Sequence, residues 1–318
     1  MSEGHKLPRI LRRIALIVAC LIGLAILSLV VWIRVAFNTE GVTAGAVQKS
    51  TTSKDGTIIA YEQLGSGPLV ILVPGAMTDR GGTARLAKQL SHHFTVINYD
   101  RRGRGKSGDT QPYSAAREVE DIKALIDSGG GSAFVFGWSS GAVLALDAAS
   151  QLGPSVKKLY LYEPPFIVDD SRPPMPSNLP AEISRLVAQG QRDDAVKLFY
   201  TRGMGIPALG VTLMRFLMPG WSKMTGMAHT VPYDLAILDG TQAGKPLPAD
   251  RWPGIVAPTL VAVGGKSEPF FHSGAKASAH VIPNALYRSL DGLDHGAVLL
   301  ASKAIATSVE RFFLDEKR

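Results

Sequence analysis

One cysteine occurs in 318 residues, Cys20, and it lies inside an apolar run near the start of the chain. The remainder can form no internal disulfide and offers no thiol nucleophile, so cysteine-based hydrolysis is excluded. Ile17-Val18-Ala19-Cys20 imitates a bacterial lipoprotein lipobox, but six apolar residues precede the cysteine and a dozen follow it, which makes the match a coincidence. No H-E-x-x-H and no Cys/His spacing points to a metal. No basic stripe is interleaved with aromatics, which argues against nucleic acid as a partner. The formal charge is +7, yet Lys6, Arg9, Arg12, Arg13 and Arg34 against Glu3 account for four of those charges before residue 35. No internal repeat is present, and a hydrophobic content of 46% at this length suits one globular domain plus an appendage.

That appendage is a run from Ile14 to Ile33, twenty residues without a charge. At about 1.5 Å per helical residue it covers roughly the 30 Å hydrocarbon core of a bilayer. The basic cluster precedes the run, so the positive-inside rule makes residues 1–13 a cytoplasmic tail and 14–34 a signal anchor. Everything after it then lies outside, in a single-pass protein of the cell membrane. Arg34 is the one opposing charge. The alternative is secretion after signal cleavage, but a signal peptide's apolar region usually has about 7–15 residues, and the small-residue site near Ala44 comes late.

Residues 35–56 are rich in Thr, Ser, Gly and Ala and read as a linker; residues 57–318 then alternate strand and helix. Strands are expected at Thr57–Gln63, Leu69–Val73, Phe94–Tyr99, Ala133–Phe136, Lys158–Tyr162, Pro258–Val263 and Leu286–Leu290. Helical patterns fall at Gly82–Leu90, Ala116–Asp127, Ser140–Leu152 and Ala297–Phe313. Continuously apolar strands imply burial on both faces, hence an α/β class with a mostly parallel sheet flanked by helices. Between about residues 166 and 251 the alternation breaks. Pro-rich SRPPMPSNLP and GKPLPADRWP flank a helical pattern at Ala181–Tyr200 and a Met-rich segment from Met204 to Met227. This block reads as an inserted helical cap over an apolar pocket.

The sharpest motif is Gly137-Trp138-Ser139-Ser140-Gly141, between the apolar AFVFGW and the Ala/Leu-rich AVLALDAAS. Strand, tight turn and helix is the context in which a serine hydroxyl is held exposed as a nucleophile. A serine needs a base, and His295 follows the last expected strand and opens the final helix, at the sheet edge that carries Ser139. The other histidines fit less well: His5 precedes the apolar run, His92 and His93 sit between a helix and a strand, His229 falls in the cap, and His272 and His280 follow Pro258–Val263. Residues 103–108, GRGKSG, imitate both a dinucleotide fingerprint and the end of a phosphate-binding loop. Both fail, because DTQPYSAA follows where a helix must start.

PGAMTDR, YDRRGRGKSG, GWSSG, LYEPPF and the late DHG together resemble the α/β-hydrolase superfamily over about residues 50–318. The resemblance implies a cofactor-free enzyme in which Ser139 attacks an ester-like carbonyl of a small to medium apolar substrate and His295 relays the proton. It assigns the oxyanion hole to the backbone N–H groups of Ala76 and Ser140, with Pro74-Gly75 replacing the frequent His-Gly. The triad acid usually follows the strand at Pro258–Val263, where this chain has Ser267. Glu268 comes one residue late, and Glu163, at the end of LYE, is favoured because a strand end positions a carboxylate better than a shifted loop. A serine nucleophile argues against the dehalogenase and epoxide-hydrolase branches. Thioesterase, lactonase, acyltransferase, C–C hydrolase and haloperoxidase-like activities share the same serine chemistry. The displaced acid and the missing His-Gly also motivate a different class of function, a catalytically lapsed binding or signalling protein at the membrane.

Overall fold

A computed structural model describes residues 6–36, 43–218 and 220–315. Its centre is one eight-stranded sheet built from β1 (Val47–Thr52), β2 (Ile58–Leu64), β3 (Leu69–Val73), β4 (Thr95–Tyr99), β5 (Ala133–Trp138), β6 (Val156–Tyr162), β7 (Thr259–Gly264) and β8 (Ala285–Leu290). The spatial order is 1-2-4-3-5-6-7-8; β2 runs antiparallel to β1 and β4, and every other pairing is parallel. In β3 all five side chains are buried: Leu69, Ile71 and Val73 face one hydrophobic layer and Val70 and Leu72 the other. That two-sided burial leaves the strand continuously apolar.

Helices α3 (Ala115–Ser128), α4 (Ser140–Leu152) and α10 (Pro269–Val281) cover the first face. Helices α2 (Ala84–Leu90) and α12 (Ser302–Leu314), with the short α11 (Ala297–Leu300), cover the second. The chain order reverses direction across the sheet between β3 and β5, so the loops leaving these neighbours diverge and open a crevice at their carboxyl ends. Between β6 and β7 the chain builds a cap from α5 (Leu179–Ala188), α6 (Arg192–Leu198), α7 (Ala208–Leu217), α8 (Trp221–Gly226) and α9 (Val231–Ile237). The cap has its own core, in which Leu179, Ile183, Val196 and Phe199 pack with Trp221 and Met224.

Four sequence expectations change, the simplest being the helix expected at Ala297–Phe313, which is parted at Ala301 into α11 and α12. The stretch read as linker contains β1, whose VQKSTT is exposed along nearly its whole length; an edge strand with no face to bury carries no apolar alternation. The single helical pattern at Ala181–Tyr200 is two helices, α5 and α6, parted by a turn at Gly190, and a π-helical turn runs on from Phe199. Helix α10 was not anticipated, because its Ser, Gly and His content hides the period of Phe270, Phe271, Gly274, Ala275 and Ser278, which it buries. At the start of the described chain, α1 (Lys6–Ala36) contains one window, Ile14–Val31, long and apolar enough to cross a membrane, and none of the window's described residues is buried.

Candidate active site

The turn from β5 into α4 places Ser139 at φ 57° and ψ −128°, a conformation an L-residue adopts at a cost of about 1–3 kcal/mol. Two backbone hydrogen bonds hold it there: Ser139 N–H donates to the Tyr162 carbonyl at 3.0 Å, and Ala142 N–H donates to the Ser139 carbonyl at 2.9 Å. The turn is tight enough that α4 touches β3. A Cβ on Gly141 would stand 2.4 Å from the Val73 carbonyl oxygen and 2.5 Å from that of Pro74, both backbone atoms that cannot swing aside. Gly141→Ala is therefore expected to destabilise the fold by about 3 kcal/mol in urea unfolding. Gly226→Ala, where a Cβ meets nothing within 4 Å, serves as the near-neutral control.

His295 sits in the turn between β8 and α11, and its ring stacks on Phe271 of α10, with centroids 4.6 Å apart and planes 19° apart. The Tyr162 hydroxyl fixes that turn by donating to the Asp294 carbonyl at 2.7 Å. His295 Nδ1 lies 2.7 Å from Glu163 Oε2, and the His295 side chain is 25% exposed against 0% for Glu163. A carboxylate can only accept, so Nδ1 carries the proton and Nε2 is left as the basic edge. Glu163 follows β6 at φ 51°, and its other oxygen accepts from Gly264 N–H at 2.6 Å and from the Ser267 hydroxyl. Three donors thus surround one fully buried carboxylate, which is how such a charge is tolerated away from water. Glu268 is exposed at the start of α10. Ser267, which the sequence offered only as a missing aspartate, is a hydrogen-bond partner of the carboxylate on the neighbouring strand.

Ala76 follows β3 and Ser140 opens α4, where a helix leaves its first N–H groups without intrahelical partners. Ser139, His295 and Ala76 share a cavity of about 220 Å³. Its other side is formed by the cap, through Phe199, Tyr200, Met204, Met218, Met224 and Met227. The Met-rich segment thus meets the serine across an apolar space. His92, His93 and His280 are exposed, His272 Nδ1 lies 3.1 Å from the Tyr287 hydroxyl, and His229 is held in the cap with its basicity lowered by burial. Among the described residues no group of His, Cys, Asp and Glu could hold a metal ion.

Sequence reasoning missed the arginines in and just ahead of the GRGKSG decoy. Arg101, Arg102 and Arg104 are among the largest fully buried side chains in the molecule. Arg101 forms a two-pronged ion pair with Glu118, both contacts at 2.7 Å, and Arg102 does the same with Asp121 at 2.7 and 2.8 Å. The turn itself is organised by Asp100, which accepts from Arg80 N–H at 2.9 Å and Lys106 N–H at 2.8 Å. No local signal marks such burial; a run of arginines normally reads as surface.

Comparison with known proteins identifies the fold and the family. An α/β-hydrolase from Sphaerobacter thermophilus, of known structure, is 47% identical, with a TM-score of 0.77 over 83% of this chain and 100% of that one. The enol-lactonase from Burkholderia xenovorans shares the fold at 22% identity, with a TM-score of 0.62 over 84% of this chain and 100% of that one. Among curated proteins, N-formylmaleamate deformylase from Pseudomonas putida is 32% identical over 140 residues, 42% of this chain and 52% of that protein. An uncharacterised hydrolase from Bacillus subtilis, YraK, is 32% identical over 122 residues, 37% of this chain and 45% of that protein. The chain thus spans about half the length of the curated relatives it matches. The model of the alpha/beta hydrolase family matches residues 70–307, and with a sheet of this order and a serine turn at the end of β5, the chain belongs to that family.

Proposed function

We propose that the protein is a serine hydrolase that cleaves an ester-like bond of a small to medium apolar substrate through an acyl-serine intermediate. The observation that carries this reading is the His295–Glu163 hydrogen bond, which engages Nδ1 and leaves Nε2 unengaged at a cavity that Ser139 and His295 both line. In the first half-reaction His295 Nε2 takes the Ser139 proton as Oγ bonds to the substrate carbonyl carbon. The carbonyl oxygen becomes an oxyanion facing the N–H groups of Ala76 and Ser140, and Glu163 balances the imidazolium. Collapse expels the leaving group with that proton and leaves an ester on Ser139. Water, activated by the same imidazole, then releases the acid. The methionine-rich wall favours an apolar acyl or alcohol portion, since flexible thioethers fill an apolar gap of variable shape. Relatives named as a deformylase and an enol-lactonase support acyl-group hydrolysis as the reaction type.

The test is turnover of p-nitrophenyl esters of graded chain length by the full chain in detergent, beside labelling with a fluorophosphonate. Serine-dependent hydrolysis with a chain-length optimum is expected. A folded protein that neither turns over nor labels supports the lapsed binding or signalling reading instead.

The second part of the proposal is location: α1 anchors the protein in the membrane with the catalytic domain outside. Support comes from the uncharged Ile14–Val31 window and the basic residues ahead of it. On the cap, α7 leaves Leu209, Leu213 and Phe216 exposed at 73%, 50% and 70%, an apolar helix face of the kind that suits a lipid interface. The protein is expected to stay with membranes through an alkaline carbonate wash, and protease added to intact cells is expected to remove the domain. Release into the medium would favour cleavage, and protection from protease would reverse the orientation.

A further inference from the structure

We propose that Asp234, a residue of the cap, sets the oxyanion hole by positioning the two residues that supply its backbone donors, Ser140 through its hydroxyl and Ala76 through Arg104 and the Gly75 carbonyl. This rests on the serine-hydrolase reading above and adds a cap residue to its working parts. Asp234 lies on α9, in the block inserted between β6 and β7. Its Oδ1 accepts from the Ser140 hydroxyl at 2.8 Å and from Arg101 Nη1 at 2.7 Å; its Oδ2 accepts from Arg104 Nη2 at 2.6 Å. The same Arg104 guanidinium donates through Nη1 to the Gly75 carbonyl at 2.8 Å, and the Thr78 hydroxyl donates to that carbonyl at 3.0 Å.

The peptide joining Gly75 to Ala76 is planar and trans, so fixing its C=O fixes its N–H in the opposite direction. With the carbonyl turned toward Arg104, the Ala76 N–H turns away from it. Gly75 itself lies against the nucleophile, where an added Cβ would stand 3.0 Å from Ser139 Cβ. One carboxylate therefore registers the two halves of the hole against each other, although they leave different strands, β3 and β5.

The four groups are sealed: Arg101 is 0% exposed, and Arg104, Asp234 and Ser140 are each 1% exposed. Glu118 supplies the second negative charge, so two arginines face two carboxylates. Burial alone would raise the Asp234 carboxyl, but Arg104 and Arg101 outweigh it and hold it below the ordinary aspartate range, charged at neutral pH. Such a fixed polar network needs no rearrangement as charge develops on the substrate, and that is the condition under which hydrogen-bond donors accelerate a reaction. It also makes the cap part of the catalytic machinery. If α9 lifts, Arg104 and Ser140 lose their common anchor.

A plain structural staple predicts lost stability with unchanged chemistry, so the test separates the two. The double variant Arg104→Met/Asp234→Asn keeps Arg101 balanced by Glu118 and removes the guanidinium from the Gly75 carbonyl, leaving only the Thr78 hydroxyl there. Ser140→Ala removes one hydroxyl and leaves the backbone N–H in place, so it preserves the fold if the double variant does not. For the full chain in detergent, kcat is expected to fall about 100-fold in the double variant and about tenfold in Ser140→Ala, set against the 10²–10³ associated with losing a whole oxyanion donor. KM is expected to stay within about threefold, as for an interaction made only in the transition state. Affinity for a trifluoromethyl ketone, which adds to the serine and puts an oxyanion in the hole, is expected to fall in parallel. Affinity for the methyl ketone of the same chain length is expected to hold. Folded Ser140→Ala with wild-type kcat and wild-type preference for the trifluoromethyl ketone overturns the proposal. Failure of the underlying reading shows elsewhere, as wild-type turnover that persists in Ser139→Ala.

Discussion

Ser139→Ala is expected to lower kcat by about 10⁶-fold, the loss seen when a serine nucleophile that works as a unit with its base is removed, while the thermal midpoint stays close to wild type. Alanine inherits the strain of the turn, because the φ of 57° penalises any side chain with a Cβ. Ser139→Gly is equally inactive and is expected to be more stable than wild type by about 1 kcal/mol, since glycine occupies that region without penalty. The pair of variants separates two properties of one residue. A serine variant that keeps more than a small fraction of turnover would remove Ser139 from the nucleophile's role.

The second large effect is expected at Glu163. Its carboxylate accepts from three donors, His295 Nδ1–H, Gly264 N–H and the Ser267 hydroxyl. Glutamine has one acceptor oxygen and an NH₂ group, so Glu163→Gln must turn a donor toward either His295 or the Gly264 amide. If it faces the ring, Nδ1 becomes the acceptor, the proton moves to Nε2, and the imidazole can no longer take a proton from Ser139. A loss of about 10⁴ in kcat is expected, the size that follows when the base is locked in the wrong tautomer. Glu268→Gln is the matched control. Glu268 is exposed at the head of α10, and its change is expected to leave kcat within about twofold, as for ordinary surface substitutions. If the glutamine at 268 costs more than the glutamine at 163, the acid has been misassigned.

The parts of this molecule that could be read from its sequence are those in which neighbouring residues share one environment. Strand β3 is five buried residues in a row, and β5 with Ser139 and α4 is a continuous stretch, so pattern and motif coincide there. The parts that could not be read depend on residues far apart in the chain. Arg104 and Asp234 are 130 residues apart, and nothing local marks either as buried or paired. The sequence favours Glu163 over Glu268 only through its place at a strand end, because sequence order does not reveal which carboxylate a ring 132 residues from Glu163 will reach. Strand β1 is hidden for another reason: an exposed edge strand is held by backbone pairing with β2, to which VQKSTT contributes no apolar pattern.

Contact between Ser267 and Glu163 also bears on how such an acid can change strand during evolution. Ser267→Asp would set a second carboxylate against the first, and two carboxyl groups in contact share one proton between them, so one negative charge stays close to His295. Loss of Glu163 ahead of that substitution leaves a chain with no acid and a crippled base. Under the serine-hydrolase proposal, Ser267→Asp ahead of any loss of Glu163 is therefore the order of substitution expected to keep turnover at each step.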